Sequence, residues 1–223
     1  MGTGVRTVVA IAALALAAAP AAHSFLDPGS GRPAARAVVA EAPERPRPQI
    51  RWRSSRAVGS PSGGRLVRGV RLPGEAAGFF TWDPLLHRVP NRADRRWGTD
   101  ELVRLVLRVV RDYGRAHPHA PRVGIGDLSR RHGGPFGPKH ASHQNGLDVD
   151  VYYPRRDRRE RPPRRVAQID RRLAQDLVDR FVRAGAEIVY VGPNTGFRGP
   201  PGVVQVLWNH DNHLHVRIPA TTG

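Results

Sequence analysis

The chain has 223 residues, enough to bury the core of one large domain or two small ones without covalent staples. It carries 36 Lys+Arg against 19 Asp+Glu, a formal net charge of +17, and no cysteine, which excludes a disulfide scaffold, a thiolate zinc finger, an iron–sulfur protein and a cysteine nucleophile. Hydrophobic content of 39% and aromatic content of 6%, beside 24 Gly and 21 Pro, point to a stretch of chain outside the packed fold.

Residues 1–22 (MGTGVRTVVAIAALALAAAPAA) read as an export signal, with Arg6 ahead of a short apolar run and small residues at 19–22. The run is short for a bilayer span, and no other segment is apolar enough to cross one. The expectation is an exported protein, periplasmic, associated with the cell wall or extracellular, with no stable membrane span once the signal is cleaved. Residues 23–57 are rich in Pro, Arg, Gly, Ser and Ala and read as a flexible tether. Their charge suits anionic cell-wall polymers, and a nucleic acid is not expected as the partner of an exported chain.

The folded domain is expected over residues 58–223. Gly63-Gly64 and Pro73-Gly74 bracket a short strand, Arg65 to Leu72. Thr99 to Ala116 has the pattern of a helix. Thr99 is its cap, Asp100 and Glu101 lie in its first turn, and Leu102, Leu105, Val109 and Tyr113 share a face. A Val-Gly-Ile-Gly strand follows at 123–126, then a glycine-rich loop over 127–142. From Leu147 to Tyr153 apolar and polar residues alternate, with Leu147, Val149 and Val151 on one face and Asp148 and Asp150 on the other. An arginine-rich loop spans 154–165. Asp170 to Ala184 is a second helix, stopped by Gly185, and strands are expected at 187–192 and from Asn212 to Ile218. These elements make an α+β fold with a small, mostly antiparallel central sheet flanked by helices.

Five of the ten histidines fall in two windows, His140 and His143 in KHASHQNGLDVD and His210, His213 and His215 in NHDNHLH. On a strand, His213 and His215 leave the same face. Asp150 points away from the apolar face of its own strand, and the turn dipeptide Asn145-Gly146 folds His143 back toward it. One carboxylate and two imidazoles from neighbouring strands then converge. Two nitrogens and one oxygen suit zinc, and three protein ligands leave a position for water, as catalytic sites do.

The segments HASHQNGLDVD (140–150) and HDNHLHVRI (210–218) resemble the two signatures of the penicillin-insensitive murein endopeptidases. These are zinc peptidases with an H-x6-D…H-x-H pattern, grouped with D-Ala-D-Ala peptidases and lysostaphin-type enzymes. The resemblance extends to 59–73, 95–102, 125–128 and 189–193, and so over residues 58–219. It implies the fold of that zinc-peptidase group, with Zn2+ held by His143, Asp150 and His215. It assigns His213 to the catalytic apparatus and gives His210 and His140 roles beside the metal. D-Ala-D-Ala peptidases carry a glutamate three residues before H-x-H, and His210 stands in that place, as in the murein endopeptidases. The chain departs from better-known members in lacking cysteines and in a shorter interval between the signatures.

The implied reaction is hydrolysis of peptide cross-links in peptidoglycan by metal-activated water, with His213 or His210 moving the proton. His140 stabilises charge or orients substrate, and Asp148 either supports the metal ligands or is solvated. Ser142 is discounted as a nucleophile, because a metal-ligating His143 cannot also serve as its base. The alternatives are a D,D-carboxypeptidase or dipeptidase of the same zinc group, a non-catalytic wall-binding module, and an arginine-driven polyanion binder.

Overall fold

A computed structural model describes residues 49–137 and 140–220. The segment read as an export signal, and the tether up to residue 48, lie outside the described residues. Two side-chain caps start the two helices. Thr99 accepts from the Leu102 amide at 3.2 Å and opens α1 (Asp100–Ala116). Asp170 accepts from the Leu173 amide at 3.1 Å and opens α2 (Arg171–Arg183). Each cap satisfies an amide that has no partner inside the first turn.

The strands run in chain order β1 (Arg56–Ser60), β2 (Gly63–Val67), β3 (Val70–Arg71), β4 (Glu75–Ala76), β5 (Phe79–Thr81), β6 (Trp97–Gly98), β7 (Val123–Ile125), β8 (Asp148–Tyr152), β9 (Ile188–Val191), β10 (Val204–Val206) and β11 (His213–Arg217). Seven of them form the main sheet in the order β10-β9-β11-β8-β7-β5-β4. The pairs β10–β9 and β5–β7 are parallel and the other pairs antiparallel, so the fold is α+β with a mixed, mostly antiparallel sheet. The pairs β1–β2 and β3–β6 stand apart from it as two-stranded ribbons.

Alternation along β8 and β11 divides this sheet into an apolar and a polar face. Val149 and Val151, with Leu214 and Val216, join a core that includes Leu102, Val106 and Val109 of α1 and Leu173, Leu177 and Phe181 of α2. Asp148, Asp150, His213 and His215 occupy the alternate positions and project to the opposite face.

Two expectations are corrected. The single strand over Arg65–Leu72 is two strands in different sheets, β2 and β3. Arg68 takes a left-handed φ of 51° and the chain turns there. A Cβ at Gly69 would lie 2.6 Å from the Leu66 side chain, so the neighbouring glycine is needed for the close approach. Packing also begins upstream of Val58. Ile50 lies against the core, the Arg104 guanidinium sits 4.0 Å over the Trp52 ring, and Ser55 exchanges 2.6 Å hydrogen bonds with Asp100 at the start of α1.

Candidate metal centre and active site

The register of β11 on β8 sets His215 directly opposite Asp150. His215 Nδ1 lies 3.1 Å from Asp150 Oδ1. His143 arrives from the loop before β8, across the turn at Asn145-Gly146. Gly146 has φ +82°, and a Cβ there would meet Leu66 Cδ1 at 2.8 Å, so the turn needs glycine. His143 itself takes a left-handed φ of 68°, a sparsely populated conformation for a residue with a side chain. Its Nε2 ends 3.4 Å from Asp150 Oδ1. One ligand atom from each of His143, Asp150 and His215 lies within 4.8 Å of the others, and all three residues are buried.

The second nitrogen of each imidazole has its own partner. His143 Nδ1 lies 2.5 Å from the Leu128 carbonyl, which can only accept, so Nδ1 carries a hydrogen and Nε2 is the nitrogen that faces Asp150. His215 Nε2 lies 2.9 Å from Asp148 Oδ1, which leaves Nδ1 as the nitrogen facing Asp150. Asp148 is fully buried. It also accepts from the His143 amide at 3.1 Å and from Arg217 Nε at 2.8 Å, so one carboxylate joins both strands and the loop.

The electrostatics follow from burial against charge. Burial pushes the Asp150 carboxyl up, but the imidazoles of His143 and His213 outweigh it and hold the group well below the usual carboxylate range. Asp148 is shifted the same way, burial being overcome by His215, His143 and Arg217. Burial pushes His215 down, and its hydrogen bonds to Asp148 and Asp150 raise it to about 9. His213 lies 3.7 Å from Asp150 Oδ1 through Nε2, while its Nδ1 is 2.6 Å from Asn212 Oδ1. Burial lowers His213 to about 4, Asp150 opposing the shift and the neighbouring histidines adding to it.

His210 lies beside this group rather than in it. Its ring centroid is 4.7 Å from that of His213 and 6.0 Å from that of His215, and its Nδ1 is 2.7 Å from the Trp208 carbonyl. Burial lowers its pKa as well. His140 lies on the other side, its Nε2 3.2 Å from Asp127 Oδ2. Asp127, His140 and Asp150 form a second group with ligand atoms within 4.8 Å of one another. The Asp127 carboxylate is already engaged, by Arg95 Nη1 at 2.6 Å and Asn91 Nδ2 at 2.8 Å.

Several residues around this centre are not visible in the sequence patterns. Asp127 reaches the site because its carbonyl accepts from the Asp150 amide at 2.9 Å, which continues the β7–β8 pairing beyond the end of β7. Arg95 lies over the Phe136 ring at 4.5 Å, and Phe136 stacks on His143 at 5.3 Å. The one sequence signal bearing on this shell is the Asp148/Asp150 pair of alternate positions.

Comparison with known proteins bears on residues 57–187, which match the family profile described as penicillin-insensitive murein endopeptidase. Penicillin-insensitive murein endopeptidase from Escherichia coli O1:K1 / APEC is 34% identical over 131 residues, which cover 57% of this chain and 42% of that protein. The protein of the same name from Klebsiella pneumoniae (strain 342) is 33% identical over 104 residues, covering 44% of this chain and 33% of its own length. The chain thus spans less than half the length of these curated relatives. The profile match contains His140, His143, Asp148 and Asp150 and ends before β11, whose histidines reach the same centre through strand register. A match over 57–187 takes in the greater part of the chain, and the chain therefore belongs to the penicillin-insensitive murein endopeptidase family.

Proposed function

We propose that the chain is a zinc-dependent murein endopeptidase, exported to the cell-wall compartment, that hydrolyses peptide cross-links of peptidoglycan. Its fold on this reading is that of the zinc-peptidase group that includes D-Ala-D-Ala peptidases and lysostaphin-type enzymes. The observation that carries the proposal is the grouping of donor atoms from His143, Asp150 and His215 within 4.8 Å, with both spare imidazole nitrogens held by Leu128 and Asp148. The donor set fits zinc: two imidazole nitrogens and one carboxylate oxygen, with each imidazole held through its other nitrogen. Zinc bound there supplies Lewis acidity toward the scissile carbonyl and toward water at neutral pH.

The remaining work falls to side chains of this chain. His213, neutral at pH 7, has Nε2 facing the centre and Nδ1 fixed by Asn212. It accepts the proton of the attacking water and delivers it to the leaving amine. His210, stacked beside it, is the second group placed to share that proton. His140, tied to Asp127, orients the substrate carbonyl from the opposite side. No covalent acyl-enzyme is required.

The test is digestion of cross-linked muropeptide dimers and of uncross-linked pentapeptides by the full chain, read by mass spectrometry. Dimers are cut with zinc present, left intact after chelation and cut again when zinc is restored, while pentapeptides survive. Cleavage of pentapeptides alone would make the chain a D,D-carboxypeptidase. Cleavage that persists after complete metal removal would overturn the zinc reading.

A further inference from the structure

An open cleft of about 700 Å³ adjoins the candidate metal centre. It meets that centre through Tyr152, whose ring centroid is 6.1 Å from that of His213, and through Asn212, the partner of His213 Nδ1. Arg161, Arg164 and Arg165 also line it. All three are exposed, and none has an ion-pair partner among the described residues. The acid in the lining, Asp211, is engaged by the Asn194 amide at 3.0 Å and by Asn194 Nδ2 at 2.6 Å. The cleft therefore presents three guanidinium groups against a single carboxylate, which is already hydrogen-bonded to Asn194.

The loop that carries these arginines is anchored from beneath. Arg155 is buried and bonds Asp157 through Nε at 2.7 Å and Gln168 Oε1 through Nη1 at 2.8 Å. Gln168 Oε1 also accepts from the Arg164 amide at 2.7 Å. Arg156 Nε donates to the Ile169 carbonyl at 3.0 Å, and Glu160 is held by Arg122. The consecutive prolines Pro162 and Pro163 further restrict the backbone between Arg161 and Arg164. The charged side chains thus project from a fixed frame, which lowers the ordering cost of binding.

A guanidinium offers a planar fork of donors that matches a carboxylate bidentately, and several in one concave site focus positive potential on it. We propose that this cleft is an acidic-peptide subsite, in which Arg161, Arg164 and Arg165 bind the free carboxylates of the stem peptide whose cross-link is presented to the metal centre. The inference rests on the murein endopeptidase reading and adds to it a basis for substrate choice: stems with free carboxylates are preferred over stems with amidated ones.

The experiment uses the zinc-loaded full chain and two cross-linked stem-peptide dimers, identical except that one carries free carboxylates and the other amides. The wild type favours the free-acid dimer by about tenfold in kcat/KM, mainly through KM. The triple variant Arg161→Gln, Arg164→Gln, Arg165→Gln reduces that preference to about twofold or less. A control triple variant, Arg108→Gln, Arg111→Gln, Arg115→Gln, removes the same charge from the exposed side of α1 and retains the preference. Equal loss in the control would assign the effect to diffuse polyanion attraction and overturn the subsite, as would full retention in the cleft variant. Should the cleft variant fail to fold, a wild type indifferent to amidation would overturn the proposal by itself. A parallel calorimetric titration with uncross-linked free-acid and amidated stem peptides separates the two readings. If neither dimer is cut, the endopeptidase reading fails. Tighter binding of the free-acid peptide, lost in the cleft variant, would still uphold the subsite, and equal binding of the two peptides would sink it.

Discussion

At the scale of single residues, the candidate centre is defined as much by the partners of its imidazoles as by the imidazoles themselves. His143 adopts a backbone conformation that costs about 1–3 kcal/mol for a non-glycine residue, and the Leu128 carbonyl, Asp148 and the glycine turn hold it there. A His→Ala change therefore removes a ligand without relieving the backbone strain, since alanine keeps the Cβ that causes it. His143→Ala, Asp150→Ala and His215→Ala should each abolish bound zinc and dimer cleavage together. His213→Ala should abolish cleavage and retain zinc, because Nε2 of His213 faces the centre from outside the three-residue group. Asp148→Asn should weaken zinc binding about 10–100-fold, with cleavage recovered at excess zinc. Metal analysis alongside the dimer assay checks all five variants, and a His213→Ala protein that lost its zinc but still cut dimers would reverse the assignment. The histidines and Asp150 were legible in the sequence because their spacing on two strands is informative. The Leu128 carbonyl was not, since a backbone acceptor leaves no trace in residue identity. Asp127 was not, because it is a lone acid in a glycine-rich loop and reaches the site through backbone pairing with β8 just beyond the end of β7.

At the scale of elements, legibility followed length and period. α1 and α2 were readable to within a residue of their ends, since each combines a capping side chain with an apolar stripe over three or more turns. β8 and β11 were readable from strict alternation. β4, β6 and β10 have two or three residues each, too few for a period, and are defined only by the strands beside them. The two helices are also clasped to each other. Asp176 of α2 sits 2.8 Å from His117 Nε2, just beyond the end of α1, and receives Arg180 Nε at 2.5 Å. Burial pushes the Asp176 carboxyl up, and the hydrogen bonds from Arg180 and His117 overcome it, so its pKa lies below the ordinary value. A carboxyl depressed in the folded state contributes stability above its unfolded pKa and loses it as pH falls through the folded value. Asp176→Asn should therefore lower stability by about 1 kcal/mol or less at pH 7, the pair being partly solvated. That deficit should begin to shrink as pH falls through the ordinary carboxylate range near about 4 and go on shrinking below it. Thermal melts of both proteins from pH 7 to pH 2.5 check this, and a difference that stayed constant with pH would refute the clasp.

At the scale of the whole molecule, the seven-stranded sheet separates two tasks. One face is sealed by α1 and α2 and makes the core, while the other carries the ionisable groups and opens on the arginine-lined cleft. Among the described residues no helix is long and apolar enough to cross a membrane. On the proposed reading, the formal net charge of +17 draws the chain to anionic wall polymers, and its cations are nearly all arginine, a group that stays ionised at any physiological pH. Attraction of this kind is long-ranged but screened, with a Debye length falling from about 10 Å at 0.1 M salt to about 3 Å at 1 M. Contact with a peptide held in the cleft is short-ranged and screened less. The two contributions are therefore separable by salt. Sedimentation of the full chain with intact wall sacculi should show strong retention at low salt, most of it lost by 1 M. Stripping the anionic polymers from the sacculi should lower the low-salt retention to the level seen at high salt. The remainder should be displaced by free-acid stem peptide. Retention that ignored both salt and removal of the polymers would mean that the charge of the chain does not serve wall attachment, and that the metal centre and its cleft hold the protein on its substrate alone.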